Sequence, residues 1–494
     1  MSRRPGIETI GVCGGPFSVH LLIPLRRPGE PLSRQVYAGL RQAILGGTFS
    51  AGDRLPSTRD LAEQLGISRT VTVLAYEQLL AEGYVIGRSG SGTYVPPGLD
   101  SVPAAASQVP AQLRLSRFGA RAALLTDPAG VPQPGTAPRY DFAYGASDIE
   151  CFPFELWRRI LLRRSRRMPV RALDYGPAQG SAALRAAIST HLRRARAVVC
   201  EPSQVIVVNG SQQALDLVAR VLIERGDRVA IEDPGYQGTR EVLRAAGARL
   251  EPVPVDADGL IAEALPQGAR LAFVTPSHQF PTGAILTLSR RQALLRWAAR
   301  NNAVLVEDDY DGEFRYEGKP LESLQGLDRE GRVVYVGTFS RTVFSALRIG
   351  YLVVPHSLLG AFSAAKWLCD RHTATLEQET LAEFIDSGLY ERHLRRVRRR
   401  NAASRRILLE AVHRHLGERV QVSGDQAGAH IVLWPQQRVA EDAVIRAAAA
   451  REVGVYGTAR YYLDRPGRTG IMLGYARLRD GEIREGVRRL AAVL

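Results

Sequence analysis

Apolar positions recur at helical spacing over residues 54–95, and this stretch predicts two short helices followed by two strands. The first helix ends at Gly66 and the second at Gly83. Their apolar faces comprise Leu61, Ala62 and Leu65 in the first helix, and Val73, Tyr76, Leu79 and Leu80 in the second. Short strand-like runs then surround a Gly-Ser-Gly tip. The pattern predicts a helix-turn-helix followed by a β-hairpin wing.

The second helix and the wing carry residues suited to contact with DNA. Ser68 is placed to cap the helix, which leaves Arg69 and Thr70 in its first turn, where a recognition helix presents side chains to base edges. In the wing, Arg88 precedes glycines that let backbone amides approach a phosphate. The alternative is a small helical domain with ordinary surface arginines, but it leaves the wing unexplained.

These motifs resemble the winged-helix reader of the GntR family of bacterial transcription regulators. One departure is the order Val71-Thr72, where the family usually places Thr before Val. The resemblance implies double-stranded DNA as a partner, with Arg69 on a base and Arg88 or the Gly90 amide on the backbone. The implied DNA-contact set is Ser57, Arg59, Ser68, Arg69, Thr70, Arg88, Ser89 and Gly90.

From residue 139 to about 400, apolar strands alternate with amphipathic helices, which is typical of a mostly parallel sheet covered on both faces. The predicted strands are 205–208, 228–231, 271–274, 303–306, 333–336 and 349–354. Polar loops follow these strands, and ligands of open α/β sheets bind at the carboxyl ends of strands. Residues 428–435 and 469–478 predict strands of a smaller subdomain. The fold class is therefore α/β, with an N-terminal winged helix-turn-helix and a small C-terminal α+β domain.

We expect four segments along the chain. They are a tail at 1–24, a winged helix-turn-helix at 25–96, a linker at 97–138 and an effector and dimerisation domain at 139–494, with its small subdomain from about 400. The linker is rich in Pro, Ala, Ser and Gly and contains at most one short helix near 112–124.

Composition adds little beyond these patterns. Of the 494 residues, 45% are hydrophobic and 23% charged, which is ordinary globular material. The sequence has no apolar run of the roughly 18 residues that a membrane span needs and no convincing secretory signal, so we expect a bacterial cytoplasmic protein. The four cysteines match neither a metal template nor a disulfide framework, and we expect no metal. The net charge of +15 suits a nucleic-acid binder, but residues 1–95 supply a surplus of only three.

The polar loops after the strands, taken together, resemble those of the fold-type I aminotransferases that use pyridoxal 5'-phosphate. Behind a GntR reader, they resemble the MocR branch of regulators, from about residue 22 to the C-terminus. The implied cofactor-binding set is Gly210, Ser211, Gln212, Tyr236, His278, Asp308, Tyr310, Thr338, Ser340, Arg341 and Arg348. Each motif is weak alone, but their order and spacing along the chain support the resemblance.

The chemistry of these residues fits the roles that the resemblance implies. Gly210 and Ser211 lie at a strand-to-helix turn, where free amides favour a phosphate, although simple helix capping is the alternative. The phosphate would also bind the hydroxyl groups and the guanidinium of a second loop, which supplies Thr338, Ser340 and Arg348. The resemblance implies that Tyr236 stacks on the pyridine ring and that Asp308 pairs with the ring nitrogen. It also implies that Tyr310 lies near the ring hydroxyl and that His278 lines the pocket.

The departure lies at position 341. The family pattern is Ser-Lys-Thr, whose lysine forms the Schiff base with pyridoxal phosphate, and this chain has Ser340-Arg341-Thr342. A guanidinium stays protonated and cannot attack an aldehyde. The two lysines, Lys319 and Lys366, lie elsewhere in the sequence. Natural loss in an arginine-rich chain is our interpretation, and an engineered substitution is the alternative. Met472 lies near where many aminotransferases place an arginine.

Three functions remain open at this point. The first is a transcription regulator whose aminotransferase-like domain senses a small molecule without chemistry, and the sequence favours it. The ligand would be pyridoxal 5'-phosphate, a pyridoxyl–amino acid or pyridoxamine phosphate held non-covalently, or else a different anionic metabolite. The second is a working aminotransferase, which Arg341 disfavours. The third is a DNA-binding scaffold with an empty pocket, which is disfavoured because the chain retains most of the implied cofactor-binding residues. We also expect a homodimer that binds two half-sites.

Overall fold

The computed structural model describes residues 29–99, 113–125, 138–145, 148–316, 322–463 and 467–494. The chain divides into two units, 1–114 and 115–494, which are described separately. The predicted tail at 1–24 lies outside the described residues. The helices of the first unit are α1 Leu32–Leu45, α2 Thr58–Leu65 and α3 Arg69–Ala81, and its strands are β1 Ile86–Arg88 and β2 Gly92–Tyr94.

The elements of the second unit begin with α4 Arg117–Ala122, β3 Tyr140–Asp141, α5 Phe154–Arg167, α6 Ala182–Ala195, β4 Val205–Val208, α7 Ser211–Leu222, β5 Arg228–Asp233, α8 Gln237–Ala246, β6 Arg249–Asp256, β7 Gly259–Leu260, β8 Leu271–Val274, α9 Leu288–Asn301 and β9 Val304–Asp309. They continue with α10 Leu324–Leu327, β10 Val333–Thr338, β11 Gly350–Val353, α11 Leu359–Asp370, α12 Thr375–Asp386, α13 Leu389–His415, β12 Val420–Ser423, β13 His430–Pro435, α14 Glu441–Ala449, β14 Val453–Gly454, β15 Tyr456–Gly457, β16 Ile471–Gly474 and α15 Asp480–Leu490. None of the described helices is long and apolar enough to cross a membrane.

The first unit is a helix-turn-helix with a wing, as the sequence predicts. The Ser57 hydroxyl caps α2 by accepting a hydrogen bond from the Asp60 amide at 3.1 Å. Ser68 occupies the N-cap position of α3, but its side chain makes no capping hydrogen bond. Strands β1 and β2 pair antiparallel and form the wing.

The predicted apolar face of α3 is partly wrong. Leu80 is 42% exposed, and the buried positions of the helix are Thr72, Ala75, Tyr76 and Leu79. Two polar contacts set this rotation of the helix. The Thr72 hydroxyl donates to the Thr58 carbonyl at 2.7 Å, and the Tyr76 hydroxyl donates to the Pro56 carbonyl at 2.7 Å. Buried polar groups need such partners, so the hydrogen bonds outweigh one leucine on the surface.

The second unit is built on an eight-stranded sheet in the order β4-β11-β10-β9-β8-β5-β6-β7. The pairs from β10 across to β6 are parallel, whereas β11 runs antiparallel to both of its neighbours and β7 to β6. The six predicted strands all form, and four of them differ from the predicted bounds by one to three residues. The sequence interpretation missed β6 and β7. Helices cover the sheet, whose β4, β8, β10 and β11 are buried at every position.

A second, four-stranded sheet in the order β12-β13-β16-β15 forms the smaller subdomain. Helix α13 runs across the predicted start of this subdomain at about 400, so the subdomain begins inside a continuous helix. Strand β3 pairs with β14, and Tyr140 and Phe142 belong to the apolar cluster of the small sheet. The first strand of the unit therefore contributes to the last subdomain.

Helix α4 lies within the predicted linker. It contacts α8, and the Arg121 guanidinium donates to the Ala245 carbonyl at 2.8 Å. This part of the predicted linker therefore packs on the large unit.

Candidate functional site

The eight residues predicted to contact DNA are all exposed on the first unit. Arg69 and Thr70 project from the first turn of α3, and Arg88 lies at the end of β1, where its guanidinium packs over the Tyr94 ring at 4.8 Å. The sequence interpretation missed Arg54, whose guanidinium packs on Gly92 of the wing so closely that a Cβ there would lie 2.8 Å from Nε. An exposed arginine against the wing hairpin is a further candidate for a phosphate contact, and all of these contacts remain predictions.

Three of the residues predicted to bind phosphate, Gly210, Ser211 and Arg348, come together at the start of α7. Gly210 precedes the helix with φ of 84°, a left-handed conformation that glycine adopts without strain. The Arg348 guanidinium donates to the Asn209 carbonyl at 3.0 Å and packs on Gly210, where a Cβ would lie 2.8 Å from Nη2. Ser211 is half-buried in the first turn. Helix N-terminus, glycine and arginine together form a cradle that suits an anion.

A second part of this region comes from the end of β10. The Thr338 hydroxyl donates to Ser340 Oγ at 3.0 Å and accepts a hydrogen bond from the Ser340 amide at 3.1 Å. Gln212 lies on the other side of the turn beside Tyr236. At Gly238, a Cβ would be 2.5 Å from the Tyr236 ring and 2.7 Å from Gln212 Oε1, so this glycine lets the two side chains approach.

Aromatic side chains form the next layer. Tyr236 is 41% exposed, and its ring meets the buried Phe280 edge to face at 5.8 Å. Phe280 in turn contacts the Tyr310 ring at 6.0 Å and the Tyr461 ring at 4.9 Å. Burial raises the pKa of Tyr236, and Asp308 adds to this effect. A partly exposed aromatic ring next to a carboxylate is suited to stacking on a flat ligand.

The environment of Asp308 suits a ligand that donates a hydrogen bond. It lies near the end of β9, is 8% exposed, and its buried Oδ1 has no hydrogen-bond partner among the described residues. Burial raises the pKa of this carboxyl to about 7, with the acidic groups of Asp309, Glu232 and Asp311 raising it further and Arg341 opposing them. An orphaned buried carboxylate is costly, and a ligand N–H that reached it would remove this cost.

His278 lies behind Tyr310 and is 1% exposed. Its Nδ1 is 3.0 Å from the Tyr310 hydroxyl and 2.9 Å from Asp311 Oδ2. Burial disfavours the charged imidazole, but the Asp311 carboxylate and its hydrogen bond outweigh burial and raise the pKa of His278. His278 therefore contacts the Tyr310 hydroxyl, and its role in lining the pocket stays a prediction.

His430 completes this buried cluster, and the sequence interpretation missed it together with Asp311. A ring nitrogen of His278, a carboxylate oxygen of Asp311 and a ring nitrogen of His430 lie within 4.8 Å of one another. His430 Nε2 donates to the Pro281 carbonyl at 3.0 Å, and burial lowers its pKa to about 3. Asp311 is already bonded to His278, so the cluster is a hydrogen-bonded network behind the Tyr310 ring.

Arg341 lies three residues beyond β10 and is half-buried. Its guanidinium carbon is 6.0 Å from the centre of the Tyr310 ring. It also packs on Gly145, where a Cβ would lie 2.4 Å from Nη1. The side chain is thus held between an aromatic ring and a glycine backbone, where a fixed cation attracts a ligand carboxylate or other anion.

Two cavities are lined by some of these residues. One is lined by residues that include Tyr236 and Asp308. The other is lined by residues that include Tyr310 and Arg341. Four of the predicted cofactor residues therefore lie on cavity walls, namely Tyr236, Asp308, Tyr310 and Arg341. Seven predicted cofactor residues lie outside both linings, namely His278, Gly210, Ser211, Gln212, Thr338, Ser340 and Arg348.

Comparison with known proteins identifies both units. The family described as "Bacterial regulatory proteins, gntR family" matches residues 32–95, and the family described as "Aminotransferase class I and II" matches residues 154–490. The probable rhizopine catabolism regulatory protein MocR of Rhizobium meliloti is 40% identical over 95% of both chains. The pyridoxine biosynthesis transcriptional regulator PdxR of Corynebacterium glutamicum is 32% identical over 91% of this chain and 93% of its own.

Among solved structures, the α-aminoadipate aminotransferase LysN of Thermus thermophilus superposes with a TM-score of 0.67 at 31% identity, and the match covers 72% of this chain and 92% of that one. The large unit therefore has the fold of these aminotransferases, as the sequence predicts. Matches over nearly the full length to proteins named as transcription regulators, together with the two family matches, decide the family. The chain belongs to the GntR family of bacterial DNA-binding transcription regulators, in the MocR branch that carries an aminotransferase class I and II domain.

Proposed function

We propose that the large unit of this regulator binds a pyridoxyl phosphate ligand non-covalently, and that this ligand is the signal to which the DNA-binding unit responds. The observation that carries the proposal is the buried Asp308, whose Oδ1 lacks a partner among the described residues. A protonated pyridine nitrogen supplies the missing donor. The Gly210 turn with Arg348 would hold the phosphate, and Tyr236 would stack on the ring.

The non-covalent character rests on the identity of the side chain at position 341. We infer that Arg341 stands where aminotransferases place the lysine that attacks the aldehyde. A guanidinium binds anions and cannot act as the nucleophile that attacks an aldehyde. Lys366 is fully buried and donates to Asp370 and Thr373, so its amine is engaged elsewhere. Lys319 lies outside the described residues. Without such an amine, we expect no transaminase activity.

Two of the relatives support a ligand of this class. PdxR is named as a regulator of pyridoxine biosynthesis, and the LysN structure contains N-(5'-phosphopyridoxyl)-L-leucine. In that compound the amino acid is already joined to the pyridoxyl group, so binding needs no protein amine. Arg341 lies on the cavity beside Tyr310, where it would pair with the carboxylate of such an adduct. The competing candidate is an anionic metabolite without a pyridoxyl group.

We further propose a homodimer formed through the large unit. Five large apolar side chains there are strongly exposed, namely Val170 at 83%, Leu173 at 74%, Tyr175 at 72%, Trp367 at 50% and Leu368 at 76%. Arg371 packs over both Tyr175 and Trp367, at 4.5 and 5.2 Å, and so joins the two segments into one patch. Contiguous apolar surface of this kind is rare on a monomer and typical of an interface. A dimer would present two readers to two half-sites of an operator.

The decisive experiment compares the wild-type chain with Arg341→Lys after incubation with pyridoxal 5'-phosphate and borohydride. We expect mass spectrometry to find no specific pyridoxyl adduct on the wild-type chain and one adduct at residue 341 of the variant. An adduct on Lys319 or Lys366 of the wild-type chain would refute non-covalent binding. If Arg341→Lys also remains unmodified and neither chain binds pyridoxamine 5'-phosphate, the anionic-metabolite alternative replaces the proposal.

A further inference from the structure

Lysine is almost absent from this chain, and one of its two lysines is completely buried. The sequence contains 65 Lys and Arg residues, of which only Lys319 and Lys366 are lysine. Lys366 lies on α11 with a side chain that is 0% exposed. Burying a charge is costly unless it is paired, so this position needs a specific compensating partner. A compact ammonium with three donors fits a small polar site that a planar guanidinium would overfill.

The partner is Asp370, one turn further along α11. Lys366 Nζ donates to Asp370 Oδ1 at 2.5 Å and to the Thr373 hydroxyl at 3.2 Å. The second oxygen of the carboxylate points to another element. Asp370 Oδ2 accepts hydrogen bonds from Asn209 Nδ2 and from Gln213 Nε2, both at 2.7 Å. One carboxylate therefore joins a buried ammonium to two amide side chains.

These two amides flank the turn that forms the phosphate cradle. Asn209 precedes Gly210, and Gln213 follows Ser211 and Gln212. The turn is closed by a further bond, since the Asn209 amide N–H donates to Gln213 Oε1 at 2.7 Å. From the opposite side, Arg348 donates to the Asn209 carbonyl. The start of α7 is thus held by the Asp370 carboxylate and by the Arg348 guanidinium. Lys366 anchors the first of these two contacts.

We propose that Lys366 is a positioning residue for the phosphate-binding turn, which it orients through Asp370 without touching the ligand. Its ammonium fixes the position of the Asp370 carboxylate, and the carboxylate holds Asn209 and Gln213. Groups behind a first layer of ligand contacts set the orientation of that layer and its affinity. This inference rests on the proposed function, because it assumes that the turn binds the phosphate of the ligand.

The test separates the phosphate from the ring of the ligand. Binding of pyridoxamine 5'-phosphate and of pyridoxamine is measured by calorimetry on the full-length wild-type chain and on Lys366→Met. We expect the variant to bind pyridoxamine 5'-phosphate about tenfold more weakly, with the affinity for pyridoxamine changed by less than twofold. Inorganic phosphate alone should protect the wild-type chain against thermal unfolding at lower concentrations than it protects the variant.

Two further variants keep the result interpretable. Because Lys366→Met leaves Asp370 unpaired, the double variant Lys366→Met/Asp370→Asn removes both charges and should fold while showing the same selective loss. The control is Arg220→Met, which breaks another i,i+4 ion pair, that of Arg220 with Asp216 on the exposed side of α7. We expect the control to bind both compounds as the wild-type chain does.

Failure of the inference and failure of the proposed function give different results. If Lys366→Met and the double variant lose affinity for both compounds equally, or for neither, Lys366 has no role at the phosphate turn and the inference is wrong. If the wild-type chain binds pyridoxamine 5'-phosphate no better than pyridoxamine, the turn is not a phosphate site. The proposed function then fails before any variant is considered.

Discussion

Replacing Asp308 by Asn should stabilise the large unit and at the same time weaken its binding of a pyridoxyl ligand. The reason is that the buried carboxyl has a pKa of about 7, compared with 3.8 for an ordinary aspartate, chiefly because burial disfavours its charge. A group whose pKa is raised on folding binds its proton more readily in the folded state. The contribution of this carboxyl to stability is therefore fully present below its pKa in the unfolded chain. It is lost as the pH rises through its pKa in the folded protein.

The magnitude follows from the two pKa values. A rise from 3.8 to about 7 corresponds to roughly 4 kcal/mol of unfolding free energy lost by pH 8, as an upper limit. Asparagine has the same shape and no charge, so Asp308→Asn should be more stable than the wild type at pH 8. Between pH 5.5 and pH 8, the gap between the two chains should widen by about 2 kcal/mol.

The assay is urea unfolding of both chains at several pH values. The unfolding transition of the large unit is the signal that is measured. The exposed Asp258→Asn serves as the control for removing a carboxylate, and we expect it to show no such widening gap. Calorimetry should show that Asp308→Asn binds pyridoxamine 5'-phosphate at least tenfold more weakly, since a charged partner of the ring nitrogen is lost. A gap that is constant with pH, or unchanged ligand affinity, would refute the assignment of Asp308.

The remaining predictions concern DNA and assembly. Arg69→Ala should cost about 1–3 kcal/mol of operator binding and relax specificity at one base pair, whereas Arg88→Ala should weaken binding to all sequences alike and flatten its salt dependence. Gel shifts at several salt concentrations distinguish the two, and unchanged operator affinity of Arg69→Ala at matched salt would contradict the recognition-helix assignment. Leu368→Arg should shift sedimentation toward a monomer, while Leu288→Arg, at a comparably exposed leucine, should not. A dimer that survives Leu368→Arg would place the interface elsewhere.

Local pattern determined a large part of this protein. The run Val205–Val208 is apolar at every position because it forms a strand covered on both faces, and it could be predicted from the sequence for that reason. The same holds for the order of the two units and for the polar loops after the strands. Exposed residues such as Arg69 and Arg88 could be placed from the phase of a helix and the position of a hairpin. These features depend on neighbours within a few residues along the chain.

Tertiary structure alone decided which distant residues meet. Strand β3 pairs with β14 although more than 300 residues separate them, and His430 enters the network of His278 from another sheet. The hydrogen bond that joins Asp370 to Asn209 spans 161 residues of sequence. Leu80 faces outward because hydrogen bonds of Thr72 and Tyr76 set the rotation of α3. Periodicity gives the face of each element, but the partner of a buried polar group is fixed only when the elements pack, because its hydrogen bonds must then be satisfied within the protein.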